Sequence, residues 1–278
     1  MSDARTMAAS APGTPGPLDF DPYAWAFHED PYPTYRRLRD EAPAYHNEHV
    51  GFWALSRYDD VLAAFKDTAR FSNADGVSLE RSSQVDPTET ASFLAMDPPR
   101  HDHLRGLVSR GFTPRRVADL EPRVRAITTA HIDRFIARGR CDFIQEFAAR
   151  LPMDVVSELL GVPEEDRDRL RQWADTLLHR EDGVAGIPQE GLRAAGNIAC
   201  YFQDLVAARR RRPADDLPGA LLEAELDGAR LADRDVIAFL FLMVIAGNET
   251  TTKLLGARSG AGSPSTDGPC GTENACSC

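Results

Sequence analysis

The feature that most constrains this chain is one apolar stretch near its C-terminal end, Val236 to Ala246. Helical spacing runs from Asp233 to about Leu255. Inside the stretch the helix is apolar nearly all round, so it is expected to be buried. It is too short to span a bilayer, which needs around 20 apolar residues. Directly after it come Gly247, Asn248, Glu249, Thr250 and Thr251. Glycine costs roughly 1 kcal/mol against alanine inside a helix, and a carboxylate on a buried helix is expensive unless paired. Two local penalties at one place point to a function being served. Thr250 stands four residues after Ala246, so its hydroxyl can bond that carbonyl and open the helix locally. Ala246 and Gly247 leave room for a small ligand, with a proton donor, Glu249, and a hydroxyl, Thr250, beside it. The alternative is a helix that leaves the core at Asn248 with its polar residues in water.

The rest of the chain is mostly helical in period, with short breaks. Met1 to Pro17 is small, polar and proline-containing, and residues 1–20 are expected to be a disordered lead. Helices are expected over Pro31–Glu41, Tyr58–Asp67, His101–Gly111, Pro114–Arg138, Phe143–Leu160 (interrupted at Leu151-Pro152), Glu164–Arg180, Gln189–Arg212 and Leu217–Leu226. Val61, Leu62 and Phe65 share a face of the second of these. Tyr45 to Ser56 alternates around Gly51 and reads as a small β hairpin. Asn73 to Thr90 reads as a long loop, a length that is usually functional or disordered. Asp97 is placed as an N-cap and Pro98 as the first helical residue. The run Arg209 to Arg212 reads as the basic end of a helix. Ser259 to Cys278 has no aliphatic core former and no aromatic residue, and cannot bury enough surface to fold.

Charge narrows the function. With 43 acidic and 32 basic residues the chain carries −11, which argues against a broad nucleic-acid surface. No secretory signal opens the chain, so it reads as soluble and cytoplasmic, with no membrane partner. Cys141 and Cys200 stand alone, and Cys270, Cys276 and Cys278 crowd the tail, so the five cysteines make no disulfide framework. The tail spacing fits no common zinc pattern, and no metal site is expected. His101 and Arg105 lie four apart on one helix face, where they can clamp a carboxylate; an ordinary exposed pair is the alternative. His103 lies off that face.

Six collinear segments resemble the bacterial cytochrome P-450 family of haem-thiolate monooxygenases. They are DPYPTYRRLRDEAP, GFWALSRYDDVLAAFKD, MDPPRHDHLRGLVSRGFTPRRV, CDFIQEFAARLPMDVVSELLGVP, DDLPGALLEAELDGARL and FLMVIAGNETTTKLLG, within about Asp21 to Gly256. The resemblance implies a mainly α fold of the P-450 kind over residues 21–256, with a small N-terminal β hairpin. It implies haem as cofactor and oxygen insertion into a small organic substrate. His101 and Arg105 would hold the haem propionates. Ala246, Gly247, Glu249 and Thr250 would form the oxygen-binding groove, with Glu249 and Thr250 serving proton delivery. A ferredoxin or flavin reductase would supply electrons at a basic face, for which Arg110, Arg115 and Arg116 are candidates. The loop Asn73 to Thr90 and the helices around Leu177 and Leu192 would contribute substrate contacts.

The chain also departs from the family. No Glu-x-x-Arg follows Gly256, and no Phe-x-x-Gly loop precedes any cysteine, so the haem-ligating thiolate is missing from the pattern. Residues 257–278 are therefore expected to be a tail foreign to the family, produced by truncation or a shifted reading frame. The expectation is a cytochrome P-450-type enzyme by family with little or no activity in this chain. The alternative is a non-catalytic helical module without haem.

Overall fold

A computed structural model describes residues 16–79, 92–110, 112–184, 186–226, 228–260 and 275–277. They form two units, one of the described residues up to Asp67 together with Asp182–Val184, the other of the remaining described residues.

In the first unit the helices α1 (Trp25–Glu29), α2 (Tyr32–Glu41) and α3 (Tyr58–Lys66) flank a hairpin of β1 (Ala44–Asn47) and β2 (Phe52–Leu55). No periodic signal in the sequence marks α1 as a separate helix. The hairpin is antiparallel, with Ala44 opposite Leu55 and Asn47 opposite Phe52. Its turn needs Gly51, which sits at φ +80°, a region open to glycine. Asn47 is buried and holds the turn from within: it accepts from Val50 N at 2.8 Å and donates to Phe20 O at 3.0 Å. Phe20, assigned by sequence to the lead, is buried edge-on against Phe27 at 5.1 Å and Phe52 at 5.8 Å. Residues 1–15 lie outside the described part. Asp59, Asp60 and Lys66 complement the dipole of α3. Yet no residue of α3 is buried, and Tyr58, Leu62 and Phe65 form an exposed apolar row.

The second unit is helical: α4 (Arg100–Ser109), α5 (Pro114–Asp133), α6 (Arg150–Leu159), α7 (Glu164–Leu178), α8 (Gln189–Arg211), α9 (Leu217–Glu223) and α10 (Asp233–Gly260). The long helix α10 is its centre, as the apolar run requires. It packs against α6, α8, α9 and a π-helical turn at Ile144–Ala148. Val236, Leu240 and Val244 are fully enclosed among residues such as Met153, Ile198 and Phe202. The stretch Asp233–Ala257 is, among the described helices, the one long and apolar enough to cross a membrane by length and composition.

Several boundaries differ from the sequence expectation for local physical reasons. The helix expected over Pro114–Arg138 stops at Asp133 and gives way to a 3-10 turn, Ile136–Arg138, ended by Gly139 at φ +66°. The break expected at Leu151-Pro152 falls instead at Ala149, between the π turn and α6. Pro152 sits in the first turn of α6, where its missing N–H has no helical partner to lose. α9 ends at Glu223, and a short hairpin follows, β4 (Glu225–Leu226) with β5 (Ala229–Arg230). α10 continues to Gly260, past the expected end near Leu255. Ala275–Ser277 form β6 against β3 (Arg140–Asp142), with Cys276 opposite Cys141; residues 261–274 and 278 lie outside the described part.

Candidate functional site

The site is built on α10 where its apolar run ends. Thr250 donates its hydroxyl to Ala246 O at 3.1 Å, the bond the spacing predicts. Both residues are exposed. Two turns earlier on the same side stands Phe239, stacked on Phe93 with ring centres 6.1 Å apart. Phe93 in turn meets the His101 ring of α4 at 5.8 Å. An aromatic bridge thus joins the α4 candidate pair to the side of α10 that carries Ala246 and Thr250.

Gly247 faces elsewhere. A Cβ at this position would lie 2.7 Å from Val156 Cγ2 of α6, and one at Gly256 would lie 2.6 Å from Ile144 Cδ1. These glycines let α10 approach α6 and the π turn closely. Thr252, which sequence reasoning passed over, secures the same contact: its hydroxyl lies 3.1 Å from Ala148 O and 2.9 Å from Asn248 O. Asn248 stays in the core at 5% exposure; among the described residues its Oδ1 has no hydrogen-bond partner, nor does Ser157 Oγ on α6. The helix therefore does not leave the core at Asn248; it turns one face outward. Glu249 finds its partner in Lys253, 2.5 Å away and one turn on, and both are partly in water.

On α4, His101 is half-buried and its Nδ1 lies 2.8 Å from Asp102 Oδ1. Arg105, one turn later, is exposed, and its guanidinium has no ion-pair partner among the described residues. α4 begins at Arg100, two residues later than Pro98. Asp97 does not cap it with its side chain. Its carboxylate instead accepts from Ser72 Oγ at 2.5 Å and Asn73 N at 2.8 Å, tying down the start of the long loop. The Ser72 hydroxyl, then the Asn73 N–H, hold the Asp97 carboxyl below its ordinary range. The loop is described only from Asn73 to Leu79; residues 80–91 lie outside.

The remaining candidates are scattered. Arg110 is exposed, Arg115 lies 3.9 Å from Asp119, and the Arg116 side chain is outside the described part. Leu177 is buried in the core, whereas Leu192 is exposed. Arg209 and Arg210, from the basic run, pair with Asp216 at 2.5 Å and Asp233 at 2.7 Å. Cys141 is buried beside Phe135 and Phe147, and Cys200 is exposed on α8. Among the described residues no cluster of three His, Cys, Asp or Glu side chains could hold a metal ion.

A mainly helical chain whose second unit packs around one long helix, with a threonine-bonded carbonyl on that helix's open side, defines the class. The chain is 57% identical over 239 residues to cytochrome P-450 123 of Mycobacterium tuberculosis, covering 86% of this chain and 60% of that protein. It superposes on a cytochrome P-450 structure from Chondromyces apiculatus with a TM-score of 0.76 and 34% identity, over 88% of this chain and 61% of that one. The Bacillus subtilis polyketide synthase cytochrome P-450 PksS gives a TM-score of 0.73 at 32% identity, over 85% and 60%. No protein-family model matches the chain. The chain belongs to the cytochrome P-450 family. It spans about 60% of the length of the curated relatives it matches first. Family membership implies haem as the cofactor.

Proposed function

We propose that residues 21–256 supply the oxygen-binding helix and the propionate-holding cations of a cytoplasmic monooxygenase acting on a small organic substrate. The observation that carries this reading is the open face of α10, where Thr250 is bonded to Ala246 O and both are exposed. The residues present fit the distal and propionate sides of a haem. His101 and Arg105 would hold its carboxylates, the guanidinium as a fork. Arg105 is free for this role among the described residues. Haem, when bound, supplies the oxidation chemistry. The chain's own part is position and proton traffic. Thr250's hydroxyl donates a hydrogen bond to Ala246 O, which leaves the lone pairs of its oxygen free to accept a hydrogen bond on the open side. Glu249 is held by Lys253, and releasing that pair frees a carboxylate beside Thr250. Electrons would come from a ferredoxin or flavin reductase.

A polypeptide of these 278 residues alone is not expected to form a thiolate-ligated haem or to be active. Cys141 is enclosed in its apolar cluster and Cys200 lies on α8. The sequence before Cys270, Cys276 and Cys278 carries no Phe-x-x-Gly loop. The test is to add haem to the purified polypeptide, reduce it under carbon monoxide and record the Soret band. The expected spectrum lacks the red-shifted thiolate peak; its appearance would overturn the expectation that these 278 residues lack the thiolate ligand. Arg105→Gln should weaken haem uptake by about tenfold, the scale of one lost charged hydrogen bond. No uptake by the unmodified chain leaves the non-catalytic helical module.

A further inference from the structure

Away from α10, the helices α5, α6 and α7 line a solvent-open cavity of about 120 Å³. Four guanidiniums line it: Arg134 just past α5, Arg150 at the start of α6, and Arg167 and Arg171 on α7. The facing carboxylates are Asp154, Glu164 and Asp168. Arginines converging on so small a space repel one another unless something negative lies among them, so their partners decide what the cavity is for.

Arg167 is satisfied, 2.7 Å from Glu158. The other three are held less closely. Arg134 reaches only the His131 ring, Nη1 to Nδ1 at 3.3 Å, with no carboxylate within ion-pair distance among the described residues. His131 is 1% exposed, and its Nε2 lies 2.8 Å from Asp154 Oδ2. With Nδ1 accepting from the Arg134 guanidinium, Nε2–H donates to Asp154, which is thereby occupied. Arg150 and Arg171 share one carboxylate, Asp168, at 3.3 and 3.4 Å. Arg171 also reaches Asp175 at 3.3 Å. These contacts are long for charged hydrogen bonds, which favour 2.7–2.9 Å. Asp168 is 68% exposed, so it can swing into water and free one end of each arginine, while Arg171 keeps Asp175 and Arg150 keeps its 3.2 Å bond to Gln145 O.

We propose that this cavity binds a phosphate dianion, free or as the end of a phosphomonoester, on Arg134, Arg150 and Arg171. Guanidinium forks match phosphate oxygens two at a time. A cavity of this volume is several times a water molecule's share of about 30 Å³. Asp168 acts as the resident competitor that the ligand displaces, and Glu164 stands exposed beside it. The proposal is independent of the haem reading and its test needs no haem.

The experiment is calorimetric titration of inorganic phosphate into the full chain, with sodium chloride of equal ionic strength as control. Saturable binding beyond the salt control is expected. Arg134→Gln and Arg150→Gln should each weaken it by about tenfold, as expected for a lost charged hydrogen bond. Asp168→Asn, at an exposed position, should keep the fold and tighten binding. That opposite sign separates the site from general loss of structure. A heat no larger than the salt control, or Asp168→Asn binding no tighter than the parent, overturns the proposal. Glycerol phosphate bound with the same variant pattern assigns a phosphomonoester; binding of inorganic phosphate alone assigns the free ion.

Discussion

At the scale of single residues, Gly247 shows how a position can serve a fold in place of, or beside, a ligand. The sequence offers it as space beside a reacting group; the structure sets it against Val156 of α6. Alanine would ordinarily stabilise a helix interior by about 1 kcal/mol over glycine. Here its Cβ would lie 2.7 Å from Val156 Cγ2, and valine, stiff at χ1, cannot turn away cheaply. Overpacking of this kind costs about 1–3 kcal/mol. Gly247→Ala should therefore lower the stability by about 1 kcal/mol net. In a Val156→Ala background the same change should become stabilising. Urea unfolding of the four proteins of that cycle measures the sign reversal. Thr250 is the contrasting case: its hydroxyl bond is local, so the spacing alone made it legible. Asn248 was not legible, because a polar residue at the end of an apolar run reads as an exit. Only the neighbours decide that it stays inside.

At the scale of elements, the contact between α5 and α6 depends on a buried polar link. His131 near the end of α5 is enclosed and bonds Asp154 of α6 at 2.8 Å. Its sequence neighbourhood gave no reason to single it out, since a lone histidine in a helical pattern carries no periodic signal. Leucine there would keep the burial but strip Asp154 and Arg134 of their partner. A buried group left unsatisfied costs about 1–3 kcal/mol. His131→Leu should lower the unfolding free energy by about 2 kcal/mol, measured by denaturant unfolding. His131→Gln, which can still donate, should recover part of it. The π turn before α6 carries the same lesson. Proline at position 152 drew the expected break to itself, yet proline is tolerated in a first turn. The actual discontinuity is where Thr252 of α10 reaches Ala148 O.

At the scale of the whole molecule, one carboxylate ties three helices and sets an acid limit on stability. Glu158 of α6 lies 2.8 Å from Arg123 of α5 and 2.7 Å from Arg167 of α7. The Arg123 hydrogen bond is the main cause that holds its carboxyl below the ordinary value of 4.5; partial burial opposes this, and Arg167 adds to it. A carboxyl depressed in the folded state stabilises the fold fully above its unfolded value and loses that contribution as pH falls through the folded one. Glu158→Gln should cost about 1 kcal/mol at pH 7, the upper scale of a partly exposed pair. The gap to the parent should close as pH drops below about 4.5. Melting both proteins across that range measures it; a gap that widens in acid contradicts the assignment. The sequence by itself determined the central helix, its polar interruption, the N-terminal hairpin and the family. Each is written in local order: a run, a spacing, or segments in sequence. Tertiary structure alone decided which side of α10 is open, that its glycines meet α6 and the π turn, that Asn248 remains buried, and that four arginines on or beside three helices converge on one cavity. A helix apolar all round carries no mark of which side faces which neighbour, and residues brought together from three helices share no pattern along the chain.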